Sequence, residues 1–194
     1  RIYKLDEISE NHISYAKALN ILKWLTEHTT FNEEQAEKRS DNPIELLEKS
    51  FDKGFDGGLT SRQKAIVYSD LLVAAGINAY PVRMADEKST NVHFVSRVFI
   101  VEFDEWIMID PSFGTCFTDS NGDPLDIYEV KDLYLNGQKP VIHGYVPNGT
   151  ANSVAVYENM YLIPTMKNFT TWSDNSMENR IKSNEKHKKS FETK

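Results

Sequence analysis

Apolar residues recur at close to helical spacing over residues 6–28, where Ala16, Leu19, Leu22, Trp24 and Leu25 fall on one side. That spacing predicts a first helix. The charged stretch 32–41 reads as solvated helix or loop. Asn42-Pro43 is a start signal, an Asn cap with Pro at the first helical position. Ile44, Leu46 and Leu47 then make the buried side of a short helix that ends near Lys53-Gly54. Gly54, Gly57 and Gly58 predict a flexible turn. From Ser61 to about Ala75 a broad apolar face of Ala65, Ile66, Leu71, Leu72 and Ala75 predicts another helix, with Gly76 as its stop. It carries few charges after Lys64 and is expected to be central and mostly buried.

The period changes to two from Asn78. Residues 78–84 suit a strand that tolerates Pro81 near its start or on a sheet edge. After a polar loop at 86–90, residues 92–103 and 106–110 read as two strands joined around Asp104-Glu105. Asn121 to Pro124 is a turn, residues 125–135 a short helix, and 140–146 and 153–163 two further short strands. After Trp172 the chain is polar and Lys-rich, and the last ~15 residues are expected to fray or to form a helical extension without a core. One domain is expected over 1–172, with N-terminal helices at about 6–53, a core over about 54–172 and a polar extension at 173–194. Helices, then a buried helix, then an antiparallel sheet define an α+β fold.

Composition narrows the function classes. The 194 residues suffice for one sizeable core, and 40% hydrophobic with 26% charged residues is ordinary for a globular chain. A net charge of −7 and a pI near 5.3 argue against nucleic acid as a partner, which calls for clustered Lys and Arg. They also argue against a polybasic membrane surface, the C-terminus apart. No apolar run approaches the ~20 residues that span a bilayer, so no membrane insertion is expected. The chain starts at Arg1, and the missing leader pattern leaves its compartment open. Cys116 is the lone cysteine, which excludes an intrachain disulfide and a Cys-rich metal site. The five histidines show no ligand spacing. No metal or cofactor is expected, and four of the five read as surface or core groups.

Three segments could carry chemistry. Gly57-Gly58-Leu59-Thr60-Ser61 runs from a glycine-rich loop into the central helix. A nucleophile there meets free backbone N–H groups and the positive end of the helix dipole, which favour a developing anion. Thr60 or Ser61 can equally be a plain N-cap. His93 opens the long strand, on the face that alternation gives to Val95, Arg97 and Phe99; it can be a capped surface group or a base. Asp110 ends the strand 106–110 just before Pro111. It can be a turn residue accepting local donors, or the buried acid that orients an imidazole. Taken together they give nucleophile, base and orienting acid in order, the last two on consecutive strands.

That arrangement makes a geometric demand. A two-residue turn at Asp104-Glu105 would pair Phe99 with Asp110 and leave His93 about 20 Å away along the strand. For a triad, Asp110 must lie opposite Val95 or close to it. The connection then centres on residues 102–103 in a wider loop, and the wider loop is what we expect.

The same segments resemble the transglutaminase-like superfamily, a papain-related group of cysteine peptidases, amidases and acyl transferases. The resemblance covers about residues 42–140. It rests on Asn42-Pro43-Ile44-Glu45-Leu46-Leu47-Glu48, on Ser61-Arg62-Gln63-Lys64-Ala65 with Leu71-Leu72-Val73-Ala74-Ala75-Gly76-Ile77-Asn78-Ala79, on His93 with Arg97-Val98-Phe99, and on Trp106 to Phe113. Phe117 to Gly122 is also similar to the segment that follows the acid in bacterial members. The resemblance implies a core of that type, with Ser61 as nucleophile, His93 as base and Asp110 as acid. It also implies an amide-bond reaction through an acyl-enzyme, with a peptide or protein as substrate or partner. The family has Cys where this chain has Ser61, and a serine hydroxyl depends more on a general base than a thiol does. Three explanations stay open: a Cys→Ser replacement that silences the enzyme, a natural loss of catalysis that keeps a binding cleft, and a working serine nucleophile. Cys116 lies beyond the acid strand and reads as a small, partly buried thiol. The substrate, the choice between hydrolysis and acyl transfer, the second oxyanion donor and the oligomeric state stay open.

Overall fold

The computed structural model describes residues 13–33, 42–51, 58–85, 91–147 and 151–166. Three helices come first: α1 (Ser14–His28), α2 (Pro43–Phe51) and α3 (Ser61–Ala74). Next come β1 (Ala79–Ala85), β2 (Val92–Ile100), β3 (Glu105–Asp110) and β4 (Thr115–Thr118), then α4 (Ile127–Leu135) and β5 (Val141–His143). A short helical hook closes the described part: α5 (Val154–Tyr157), a π-helical stretch Glu158–Leu162, and α6 (Ile163–Met166). The five strands form one antiparallel meander in the order β1-β2-β3-β4-β5. The fold is therefore α+β, as the element order predicts. Among the described residues no helix is long and apolar enough to cross a membrane.

Both faces of the sheet are covered. On one side Val98, Ile100, Ile107 and Ile109 meet a layer built from Ile21, Leu25, Leu46, Leu47, Tyr68 and Leu72 of α1 to α3. On the other, Val82, Met84, Val95 and Met108 meet Ile127 and Val130 of α4 and Tyr157, Leu162 and Met166 of the hook. Central helix α3 is buried almost all round in its first half, from Ser61 through Ser69 apart from Arg62. Thr60 caps it in a reciprocal capping box with Gln63, and Gly76 follows its end at φ +84°. Asn42 caps α2 as expected, its Oδ1 accepting from the Ile44 N–H at 3.0 Å. Ile44, expected on the buried side, instead points to solvent at 60% exposure, because Leu46 and Leu47 already fill the helix's contact side.

Pro81 lies in edge strand β1, where a missing N–H costs least. The β2–β3 connection is the wider loop. Ser96 pairs with Ile109 and Ile100 with Glu105, so residues 101–104 form the turn, and the next step along places Asp110 opposite Val95. Asp104 takes φ +55° to close it.

Residues 153–163, expected as a strand, are helical. Ser153 accepts from the Val156 N–H, and Tyr157, Leu162 and Met166 are buried four to five residues apart. That is a helical spacing, which the β-branched and aromatic composition of the segment hides. Strand β4, not foreseen, pairs Cys116 with both Ile109 and His143. The expectations for residues 6–12, 34–41, 54, 57, 86–90 and 173–194 fall outside the described residues.

Candidate active site at the N-terminus of the central helix

Ser61 is the first residue of α3 and is fully buried. The cap belongs to Thr60, so the cap reading holds for its neighbour and leaves the Ser61 N–H and hydroxyl for other partners. Both go to Glu33: the Ser61 N–H donates to Oε2 and the Ser61 Oγ to Oε1, each at 2.9 Å. This pairing has a local cause. The segment after α1 runs parallel to the loop before α3, with Leu59 N–H donating to the Thr30 carbonyl and Asn32 N–H to the Leu59 carbonyl, each at 2.9 Å. Gly58 permits the approach, because at φ +66° a Cβ there would lie 2.8 Å from Thr30 Oγ1. Glu33 is thereby carried to the helix end. In the sequence it sits within the charged stretch read as solvated, and no short-range pattern distinguishes it.

His93 and Asp110 meet on adjacent strands. The His93 Nε2 to Asp110 Oδ2 distance is 2.6 Å, with exposures of 1% and 0%. An ionised carboxylate only accepts, so Nε2 carries the hydrogen. Asp110 is held from two further sides: its Oδ1 accepts the Ser112 N–H at 2.8 Å and its Oδ2 the Tyr157 hydroxyl at 2.8 Å. Tyr157 is a fourth member that the sequence reading missed, since it was placed on a strand. Burial and the neighbouring Asp110 charge push its phenol well above the usual value, so it stays a donor. The rings of Phe113 and Tyr161 flank the imidazole at 6.1 and 5.3 Å.

The other imidazole nitrogen, Nδ1, is buried and has no hydrogen-bond partner among the described residues. His93 helps line a cavity of about 220 Å³, together with Glu33, Asn91, Met160, Tyr161 and Thr165. Thus the structure brings His93 to Asp110, while Ser61 donates to Glu33 and not to His93. His93 shares its side of the sheet with Val95, and its strand partner is Met84. Ser61 begins the helix that covers the opposite side, and its acceptor Glu33 lines the cavity with His93 while Ser61 itself does not.

Lys64 adds a buried cation one turn into α3. It is fully buried, and its Nζ donates to the Thr29 carbonyl at 3.1 Å. Burial pulls it down to about 8, against the pull of the Asp110 charge. Cys116 is buried on β4 with its Sγ 3.9 Å from the Tyr15 hydroxyl, and burial pushes the thiol up. It takes no part in the site. His28 bonds the Trp24 carbonyl and His143 the Thr118 hydroxyl, both away from it. No cluster of metal-ligating side chains occurs among the described residues.

No protein-family model matches the chain, and no curated protein does. Among solved structures it is similar to one described as the crystal structure of a TGase, with 16% identity and a TM-score of 0.39. The likeness covers 57% of this chain and 29% of that one, so the chain spans less than a third of that protein's length. Likeness at that level defines neither fold nor activity, and the site is read from its own geometry.

Proposed function

We propose that the chain is a transglutaminase-like amide-bond enzyme that works through an acyl-enzyme, with Ser61, His93 and Asp110 as nucleophile, base and orienting acid. The observation that carries this reading is the buried His93–Asp110 pair with its second imidazole nitrogen left unpartnered beside a cavity. A histidine that only held the core would have both nitrogens satisfied, since a buried unpaired polar atom costs roughly 1–3 kcal/mol. In the reaction the Ser61 Oγ attacks the amide carbonyl and passes its proton to His93 Nδ1. The oxyanion that forms takes the Ser61 N–H at the helix end. His93 returns the proton to the departing amine, leaving an ester on Ser61. Water or an acceptor amine then attacks that ester, giving hydrolysis or acyl transfer. Asp110 keeps the hydrogen on Nε2 and so leaves the lone pair on Nδ1.

A second reading, a non-catalytic module that binds a peptide or protein in the same cleft, is favoured by the Ser61–Glu33 contact. There the hydroxyl is committed to a carboxylate and not to the base.

The two separate in a labelling experiment with S61C, alone and combined with E33Q, using a thiol-directed electrophile. Under the enzyme reading, position 61 labels at least about tenfold faster than Cys116, whose buried thiol is a poor nucleophile. H93A should then remove the advantage. Labelling no faster than Cys116 in both backgrounds, or indifference to H93A, sinks the catalytic reading and leaves the binding one.

A further inference from the structure

We propose that Glu33 is a catalytic residue of the Ser61 site, a carboxylate relay that takes the Ser61 proton and delivers it to His93 Nδ1. The inference rests on the reading above, in which Ser61 attacks an amide and His93 receives the proton, and it supplies the step between them.

His93 Nε2 is bonded to Asp110, and Nδ1 has no partner among the described residues, so no hydrogen bond joins the imidazole to Ser61. The Ser61 hydroxyl donates instead to Glu33 Oε1 at 2.9 Å, and it is Glu33 that shares the cavity wall with His93. A hydroxyl bonded to a charged acceptor is poised for proton transfer along that bond. Capping does not call for the contact, since Thr60 and Gln63 complete the reciprocal cap of α3 between themselves. Glu33 is exposed, whereas Ser61 and His93 are 0% and 1% exposed, so of the three it has the room to move.

The donor and acceptor states fit the transfer. A carboxylate only accepts, but once protonated it can donate. Nδ1 offers a lone pair, because Asp110 holds the hydrogen on Nε2. As the Ser61 Oγ bonds to the carbonyl carbon, the carbonyl π pair moves onto its oxygen and the Ser61 proton onto Glu33 Oε1. Discharged, Glu33 loosens from the Ser61 N–H, which it also holds at 2.9 Å, and that donor passes to the oxyanion. Glu33 then turns to His93 and gives the proton to Nδ1, leaving an imidazolium steadied by Asp110. When the C–N bond breaks, Nδ1 returns the proton to the amine. The products are an ester on Ser61, a free amine, a neutral imidazole and an ionised Glu33. A serine hydroxyl, far less acidic than a thiol, has the greater need of such a base.

The test uses the full chain and p-nitrophenyl acetate, with acetylation of Ser61 followed by mass spectrometry of its peptide. E33Q and E33A are expected to acetylate Ser61 at least about a hundredfold more slowly, the usual contribution of a positioned base. H93Q, which keeps a donor for Asp110, should be slowed to a similar degree. The double variant of E33Q with H93Q should be no slower than the slower single one, because two groups in one relay act as a unit. E33D, with its carboxylate on a shorter arm, should be slowed by about tenfold, and it decides alone if the other Glu33 variants do not fold. The relay is overturned if removing the Glu33 carboxylate leaves acetylation as fast or faster, since Glu33 would then only block the hydroxyl. It is also overturned if the two losses multiply in the double variant. Either result leaves Ser61 as the nucleophile, whereas absence of acetyl from Ser61 in every protein, the parent included, overturns both.

Discussion

Two residues on one face of β2, Arg97 and His93, each meet an aspartate, and the two pairs are finished differently. Arg97 forks onto Asp126, with Nε to Oδ1 at 2.8 Å and Nη2 to Oδ2 at 2.6 Å, while its Nη1 donates to the Tyr80 hydroxyl at 2.8 Å. Its guanidinium lies 5.3 Å from the Trp106 ring centroid and 5.1 Å from that of Tyr128. Asp126 also caps α4, and its own N–H is taken by Glu129. Against the opposing pull of burial these contacts raise the Arg97 pKa further, and they tie the start of α4 to β1, β2 and β3. His93 is more deeply buried, yet one nitrogen is left over and a cavity adjoins it. A structural pair uses up its polar atoms. The His93 pair leaves one unpartnered among the described residues.

The largest effect that tests this contrast is the loss of Asp110. It accepts from His93, Ser112 and Tyr157 with no exposure of its own, so D110A strands three donors at once. A loss of about 3–5 kcal/mol is expected in equilibrium urea unfolding. D126A, at the partly exposed pair, should cost about 2 kcal/mol for the ion pair and helix cap together. Equal losses would mean that burial does not separate the two pairs.

Next in size is the coupling within the Arg97–Asp126 pair. A double-mutant cycle with R97M and D126N should give about 1–3 kcal/mol, the range for a bidentate pair shielded by rings. A coupling below about 0.5 kcal/mol would place it with ordinary surface bridges and undo its description as a structural clasp.

Lys64 sharpens the comparison from the site's side, because it is a buried cation whose Nζ donates to the Thr29 carbonyl. Its native pKa of about 8 lies below the usual 10.5. Between those values the unfolded chain holds the proton and the native chain does not, so this group makes stability rise with pH across that window. Below about pH 8 the full cost of burying the charge is present. K64M should therefore stabilise the protein at pH 7 by up to about 3 kcal/mol, less whatever the lost hydrogen bond to Thr29 contributed. The advantage should shrink from pH 8 and be gone above about pH 10.5. Urea titrations of both proteins at several pH values would read the difference, and a gap independent of pH would contradict it.

How much of this was legible in the sequence divides by range. Helix α3, its Thr60–Gln63 cap and its Gly76 stop follow from residues within one or two turns of each other, and all are local signals. The β2–β3 register came from a chemical demand, that Asp110 reach His93, and the four-residue turn at 101–104 meets it. Glu33 could not be read, because its partner lies 28 residues on and the Phe31–Leu59 contact that brings them together is not local. Lys64 sits at a position that looks solvated in a helix whose apolar face is broad; its burial depends on α1 ending at Thr29 above it. Tyr157 was lost because an apolar run rich in Val and Tyr reads as a strand when the Ser153 cap goes unnoticed.

Tyr157 supplies the smallest effect, and one specific to the site. Its hydroxyl donates to the same Oδ2 that His93 uses, and lies 3.2 Å from Thr115 Oγ1. Y157F removes one donor from a fully buried acceptor that retains two others, so a loss of about 1 kcal/mol is expected at pH 7. The sign of its pH dependence is fixed by the raised native pKa. Above about pH 10 the unfolded phenol ionises while the native one cannot, which lowers the stability of the parent and not of the variant. The gap between them should close as the solution becomes alkaline. Oδ2 would also be left to His93 alone, and the Nε2 proton resonance should move downfield as that bond strengthens. If the resonance does not move, Tyr157 is only filling space against Phe113, and the site ends at Asp110.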